Sequence, residues 1–187
     1  FATLDQGLDQ TAIGGHARNT GKLRQATQLL LEFVSQPPEP LLYTSAQIFL
    51  GWAYTELEDY VAAERHLQQA LTLKDTQRMP TTFAYASYSL MRLYLLQADY
   101  DAVIALAKHP ISTRLQANYL ARAYYEQGDL AQAQTVLITF KQRYPTLWHP
   151  TDELRLSQYQ HASSGQPLSL QPEPAAHLVY CESDWAP

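Results

Sequence analysis

The chain has 187 residues, of which 46% are apolar and 17% are charged, and this composition is typical of a folded globular domain. Its formal net charge of −5 argues against nucleic acid or an anionic membrane surface as a partner. Cys181 is the only cysteine, so an internal disulfide is excluded. No apolar run reaches the roughly 18 residues that a membrane-spanning helix needs, so direct membrane insertion is not expected.

Helical periodicity dominates the pattern of apolar residues. The positions Tyr60, Ala63, Leu67 and Ala70 fall on one face of a helix, whereas the alternation typical of strands is rare. Proline is unfavourable inside a helix, and seven prolines punctuate this pattern: Pro37, Pro38, Pro40, Pro80, Pro110, Pro145 and Pro150. The sequence therefore predicts an all-α fold made of helical hairpins.

The predicted elements follow one another from the N-terminus as four hairpins, a capping helix and a tail. We place the hairpins at about 7–36, 41–75, 81–110 and 112–145, the capping helix at 151–162, and an extended or disordered tail at 163–187. Asp152 and Glu153 favour a helix start, because acidic residues are stabilising in the first turn. We expect residues 1–162 to form one helical repeat domain.

The hairpins share an internal repeat. The second carries Leu50-Gly51, Tyr54, Asp59-Tyr60 and Ala63, and the fourth carries Leu120-Ala121, Tyr124, Asp129-Leu130 and Ala133. The third carries Tyr94 and Asp99-Tyr100, but its alanine, Ala102, is displaced by one position and Pro110 ends the hairpin early. Small residues such as Gly51 let helices approach closely, and large ones such as Tyr54 fill the space between them.

This pattern resembles the tetratricopeptide repeat over roughly residues 7–145. The resemblance implies a right-handed α-α superhelix (an α solenoid), in which neighbouring hairpins stack to cover their apolar faces. It also implies a concave groove lined by the first helix of each hairpin, in which the ligand is usually a peptide. We therefore expect a non-catalytic module or assembly scaffold that binds another polypeptide.

The resemblance also implies which residues line this groove. They are Trp52, Tyr85, Tyr88, Arg92, Asn118, Tyr119, Arg122 and Tyr125. Arg92 and Arg122 fall at the same repeat position, and arginine suits carboxylates because its planar fork donates two parallel hydrogen bonds. The expected ligand is a peptide with acidic groups or a C-terminal carboxylate. In the alternative interpretation, several of the tyrosines are core residues between hairpins and the arginines only cover apolar surface.

The segment Glu173–Trp185 combines apolar residues with Glu182 and Asp184, which is the composition expected of such a peptide. We therefore expect the tail to act as an intramolecular ligand of the groove, or as a ligand of a neighbouring copy, and to compete with a partner. In the alternative interpretation it is an untethered linker.

Catalytic constellations are weak in this sequence. His149 with Asp152 and Glu153 is the best candidate for a metal or acid–base site, but a loop histidine beside a helix start explains the same residues. No flanking motif supports Cys181 as a nucleophile. We expect no cofactor and no metal.

Three function classes are considered for this chain: the module that binds another polypeptide is the first, and an enzyme is the third. The second class is a sensory or regulatory segment of a larger protein, since the chain begins at Phe1 and we expect it to be a trimmed or processed product.

Overall fold

The computed structural model describes residues 20–36, 40–73, 80–108 and 111–163, and every regular element within these ranges is helical. The α-helices are α1 (20–35), α2 (Pro40–Glu56), α3 (Tyr60–Thr72), α4 (Pro80–Leu96), α5 (Tyr100–Leu106), α6 (Arg114–Glu126), α7 (Leu130–Arg143) and α8 (Pro150–Ser163), with a 3₁₀ turn at Pro145–Leu147. The all-α prediction is confirmed for this part of the chain. Residues 164–187 of the predicted tail and residues 7–19 of the first predicted hairpin lie outside the described residues, whereas Ser163 is the last residue of α8.

The chain divides into two compact units, Phe1–Leu93 and Tyr94–Pro187. In the first unit, α2 and α3 pack against each other as a pair. The buried residues of α3 follow the spacing i, i+3, i+4 and i+7: Ala63, His66, Leu67 and Ala70. This spacing gives the helix one continuous face toward α2.

Gly51 sets the distance between α2 and α3. A Cβ atom placed on Gly51 would lie 2.3 Å from Cγ of Leu67, well inside van der Waals contact. Leu67 itself is fully buried, so it has little room to withdraw. The small residue in the repeat is therefore required by the packing, because the side chain of Leu67 occupies the volume next to it.

A polar side chain, His66, completes the core of this pair. Its Nδ1 lies 2.6 Å from Oε1 of Gln47, and its ring stacks on Tyr54 with 5.4 Å between ring centroids. Burial lowers the pKa of His66, and the nearby positive charge of Arg65 lowers this pKa further. The imidazole is therefore held in its neutral form at neutral pH, as a hydrogen-bonded member of the core.

Three helix pairs, α2–α3, α4–α5 and α6–α7, are joined by the same turn. In each turn the backbone N–H of an aspartate donates to the carbonyl of a tyrosine five residues earlier, at 3.0 Å for Asp59, 2.8 Å for Asp99 and 2.9 Å for Asp129. The residue before the aspartate has a positive φ, which is 61° at Glu58, 56° at Ala98 and 82° at Gly128. This hydrogen bond together with the left-handed residue is the Schellman arrangement that ends helices.

The same aspartates begin the next helix. Each carboxylate accepts a hydrogen bond from the backbone N–H three residues later, at 3.1 Å for Asp59 and 3.0 Å for both Asp99 and Asp129. One residue thus ends one helix and caps the next one. The spacing from tyrosine to aspartate in the sequence repeat is the spacing that this turn needs.

The left-handed residues of these turns allow a direct test. We expect Ala98→Gly to raise the free energy of unfolding by about 0.5–1 kcal/mol, because a left-handed backbone is unfavourable for alanine and costs glycine little. Gly128→Ala should lower it by a similar amount for the same reason. Urea denaturation followed by circular dichroism measures both effects.

Ala105→Gly is the matched control, since Ala105 is also exposed but lies inside the helix α5. Glycine should destabilise the protein there, by about 0.5–1 kcal/mol. If glycine changes the free energy of unfolding in the same direction and by the same amount at Ala98 as at Ala105, the left-handed conformation assigned to Ala98 is wrong.

In the second unit, α7 packs against both α6 and α8. The buried cluster at this contact consists of Ala121, Ala133, Leu137, Leu156 and Tyr159. In the shorter helix α5, the fully buried position that Ala63 and Ala133 occupy elsewhere is taken by Val103. Ala102, whose displacement is visible in the sequence, instead donates its backbone N–H to the capping carboxylate of Asp99.

Candidate functional site

The first unit carries a group of aromatic side chains on α2 and α4, which we call the aromatic face: Phe49, Trp52, Tyr85 and Tyr88. Trp52 is central, because its ring contacts Tyr88 in a stacked arrangement at 6.3 Å between centroids and Tyr85 edge-on at 6.1 Å. Phe49 lies edge-on to Trp52 at 5.4 Å and is 46% exposed. These contacts bring three of the predicted groove residues, Trp52, Tyr85 and Tyr88, together on one surface.

Trp52 is held in place by a short chain of hydrogen bonds. Its indole Nε1–H donates to the hydroxyl of Ser89, and this hydroxyl donates in turn to the backbone carbonyl of Tyr85 at 2.6 Å. Ser89 is only 3% exposed, so the contact is shielded from water. The orientation of the indole is therefore fixed by a buried polar group on the neighbouring helix.

An ion pair lies next along the same two helices. The guanidinium Nη2 of Arg92 on α4 lies 2.7 Å from Oε1 of Glu56 on α2, and both side chains are partly exposed. Glu56 follows Trp52 by four residues, and Arg92 follows Tyr88 by four, so each lies on the same helix face as its aromatic neighbour. Arg92, the fourth predicted groove residue in this unit, is thus paired with a carboxylate of the chain itself.

The shared turns fix the repeat register of the remaining candidates. Trp52, Arg92 and Arg122 each lie two residues before the tyrosine carbonyl that ends the first helix of a pair. The equivalence of Arg92 and Arg122 that the sequence suggests is therefore present in the structure. Tryptophan occupies the corresponding position in the earlier hairpin.

In the second unit, α8 contacts predicted groove residues of α6. Asn118 donates from Nδ2 to Oδ1 of Asp152 at 2.9 Å and accepts at Oδ1 from Nη1 of Arg155 at 2.7 Å. Tyr125 stacks on Tyr159 with 4.7 Å between centroids. The capping helix therefore covers the side chains of Asn118 and Tyr125.

The other two predicted residues on α6 differ in exposure. Tyr119 is buried, with 7% of its surface exposed. Arg122 is partly exposed, and its Nε lies 3.6 Å from Oε1 of Glu126, one turn later on the same helix. Arg122 is therefore more accessible to solvent than Tyr119.

Asp152 is the centre of a buried polar network between α6 and α8. Its Oδ2 accepts hydrogen bonds from Nε of Arg114 at 2.6 Å and from the backbone N–H of His149 at 3.0 Å. With Asn118 on Oδ1, both carboxylate oxygens are engaged, and Asp152 is only 2% exposed. The arrangement caps the start of α8 and ties it to the first turn of α6.

His149 and Glu153, which the sequence suggests as part of a metal or acid–base site with Asp152, also make hydrogen bonds near the start of α8. Nδ1 of His149 lies 2.8 Å from the hydroxyl of Thr151, beside the helix start. Glu153 accepts from Nζ of Lys141 at 2.5 Å and from the indole N–H of Trp148 at 2.8 Å, and these two bonds lower the pKa of its carboxyl group. Across the described ranges, no three His, Cys, Asp or Glu side chains are grouped as a metal site requires.

Sequence reasoning missed the residues that hold the site together. Ser89 and Phe49 on the aromatic face, and Arg114 and Arg155 in the polar network, were not singled out. Ser89, Arg114 and Arg155 each bond a residue that lies 37 or 38 positions away along the chain. Phe49 contacts Trp52, which lies three positions later. Only the contact of Phe49 has helical spacing, which the sequence displays.

None of the described helices has the length and apolar character that crossing a bilayer requires. Comparisons with protein-family models, curated proteins and solved structures found no match to this chain.

Proposed function

We propose that this protein is a non-catalytic binding module that holds a segment of another polypeptide on the aromatic face of its first unit. The observation that carries the proposal is the ordered set of rings around Trp52, with Phe49 46% exposed at its edge. Tryptophan, tyrosine and arginine dominate the energetics of protein interfaces; this surface presents the first two, and Arg92 lies beside it. Its rings are already oriented by packing, which lowers the entropy that a ligand must overcome.

We also propose that the chain is a tetratricopeptide-like repeat array wound as an α solenoid. The three identical turns support this, because a repeated turn gives each helix pair the same local geometry. In such arrays the first helices of successive hairpins share one side, and α2 and α4 are the helices that carry the aromatic face. The placement of Trp52 and Arg92 at one repeat position agrees with this arrangement.

Selection from a library of displayed random peptides tests the proposal. We expect the full chain to enrich a set of peptides whose affinity falls about 10-fold or more in Trp52→Ala and Phe49→Ala, because truncating a hot-spot side chain removes most of its binding energy. Phe49→Ala is the cleaner variant, since nearly half of this side chain is already exposed. Binding is measured by fluorescence anisotropy, and circular dichroism confirms that both variants remain folded.

Leu154→Ala is the matched control, because Leu154 is an exposed leucine on α8, outside the aromatic face. It should leave the affinity unchanged. Failure to enrich any peptide, or equal binding by all three variants, would count against this function.

A further inference from the structure

The hydrogen-bond donor of Trp52 is already engaged within the chain. The indole N–H of Trp52 is bound to Ser89, whose hydroxyl is in turn bound to the carbonyl of Tyr85. A ligand acceptor that took this N–H would leave the hydroxyl of Ser89, 3% exposed, with one partner fewer. Because unpaired buried polar groups are unfavourable, the indole N–H of Trp52 is a poor hydrogen-bond donor for a ligand.

The charges beside the aromatic face are balanced by an ion pair. Arg92 and Glu56 lie 2.7 Å apart, so together they carry no net charge. A ligand carboxylate that replaced Glu56 on Arg92 would be brought close to the carboxylate of Glu56. Like charges at such a distance repel one another, and this repulsion opposes the attraction of the arginine.

We propose that the aromatic face takes an uncharged stretch of polypeptide through an apolar or aromatic anchor side chain, and that Glu56 excludes acidic ligands by occupying Arg92. This inference rests on the proposed binding function and names the chemistry of its ligand. It differs from the carboxylate ligand that the sequence suggests, because the sequence shows the arginine but not its partner.

Peptides enriched by the full chain provide the first test. Replacing the apolar anchor of such a peptide with serine should weaken binding about 10-fold or more, whereas replacing its acidic residues with amides should change the affinity less than about 2-fold. The affinity should also be nearly constant between 50 and 500 mM NaCl, because screening acts on charge–charge attraction and not on apolar contact.

The variant Glu56→Gln provides the second test, since it keeps the shape of the side chain and removes the competing charge. We expect this variant to bind peptides with glutamate beside the anchor about 5-fold or more tightly than the wild-type chain does, because Arg92 then attracts the ligand carboxylate. Glu126→Gln is the matched control, because Glu126 pairs with Arg122 in the second unit. It should leave the affinity for the same peptides unchanged.

The outcomes separate the inference from the function on which it rests. Enriched peptides that depend on their carboxylates and lose affinity in salt would overturn the inference and leave the binding function in place. Equal binding of glutamate peptides by the wild-type chain and by Glu56→Gln would also overturn it. Failure to enrich any peptide overturns the binding function and the inference together.

Discussion

Replacing Asp152 with alanine should lower the free energy of unfolding by about 3 kcal/mol, because it leaves a partly buried arginine without its counter-charge. Asp152 is 2% exposed and accepts from Arg114, Asn118 and the backbone N–H of His149. The guanidinium of Arg114 retains 20% exposure, so water compensates part of the loss. Urea denaturation at neutral pH, followed by far-ultraviolet circular dichroism, measures the change.

The neighbouring carboxylate is the natural control for this experiment. Glu153 lies on the same helix turn and also pairs with a cation, Lys141, but the pair is exposed to solvent. Exposed ion pairs contribute little, so Glu153→Ala should leave the stability nearly unchanged. The loss of stability in Asp152→Asn should lie between the losses in Asp152→Ala and Glu153→Ala, because the amide keeps the shape of the side chain but lacks its charge. Equal losses for Asp152→Ala and Glu153→Ala would show that burial of the network has no energetic consequence.

The second large effect is expected at Gly51. A methyl group there would lie 2.3 Å from Cγ and 2.5 Å from Cδ2 of Leu67, so α2 and α3 must separate or Leu67 must leave its rotamer. Overpacking of this kind outweighs the gain in helix propensity from alanine, and we expect Gly51→Ala to cost about 2 kcal/mol. The melting temperature and urea midpoint should both fall.

Two further variants identify the cause. Gly21→Ala on α1 meets no atom within 4 Å, so it should be neutral or stabilising, by up to about 1 kcal/mol. In a Leu67→Ala background, Gly51→Ala should lose most of its cost, because the obstructing atoms have gone. The explanation by steric contact is wrong if Gly51→Ala is equally damaging in both backgrounds.

The all-α class was predictable because it depends on local chemistry. A tyrosine carbonyl, a residue able to adopt a left-handed backbone and an aspartate must follow one another at fixed spacing to end one helix and begin the next. That spacing is visible in the sequence at Tyr54 and Asp59, at Tyr94 and Asp99, and again at Tyr124 and Asp129. The close approach at Gly51 could be foreseen for the same reason, since a small residue, Gly51 or Ala121, lies three positions before the tyrosine of two of these turns, whereas Met91 takes this position in the third.

The candidate site was harder to foresee, because periodicity assigns a residue to a helix face but does not show what covers that face. Asn118 and Tyr125 were expected to line a groove, and α8 supplies the side chains that contact them. Arg92 was expected to attract carboxylates, and its partner Glu56 lies 36 positions earlier in the sequence. The role of these residues in binding stays a prediction.

The shared aspartates have a consequence for how the chain can be divided. Because Asp59 satisfies the end of α2 and the start of α3 at once, neither helix keeps both of its ends satisfied when it is separated from the other. The same holds for the turns at Asp99 and Asp129. Between α2 and α7, the smallest portion that can be exchanged, duplicated or excised with these helix termini intact is therefore a pair of helices together with the turn between them.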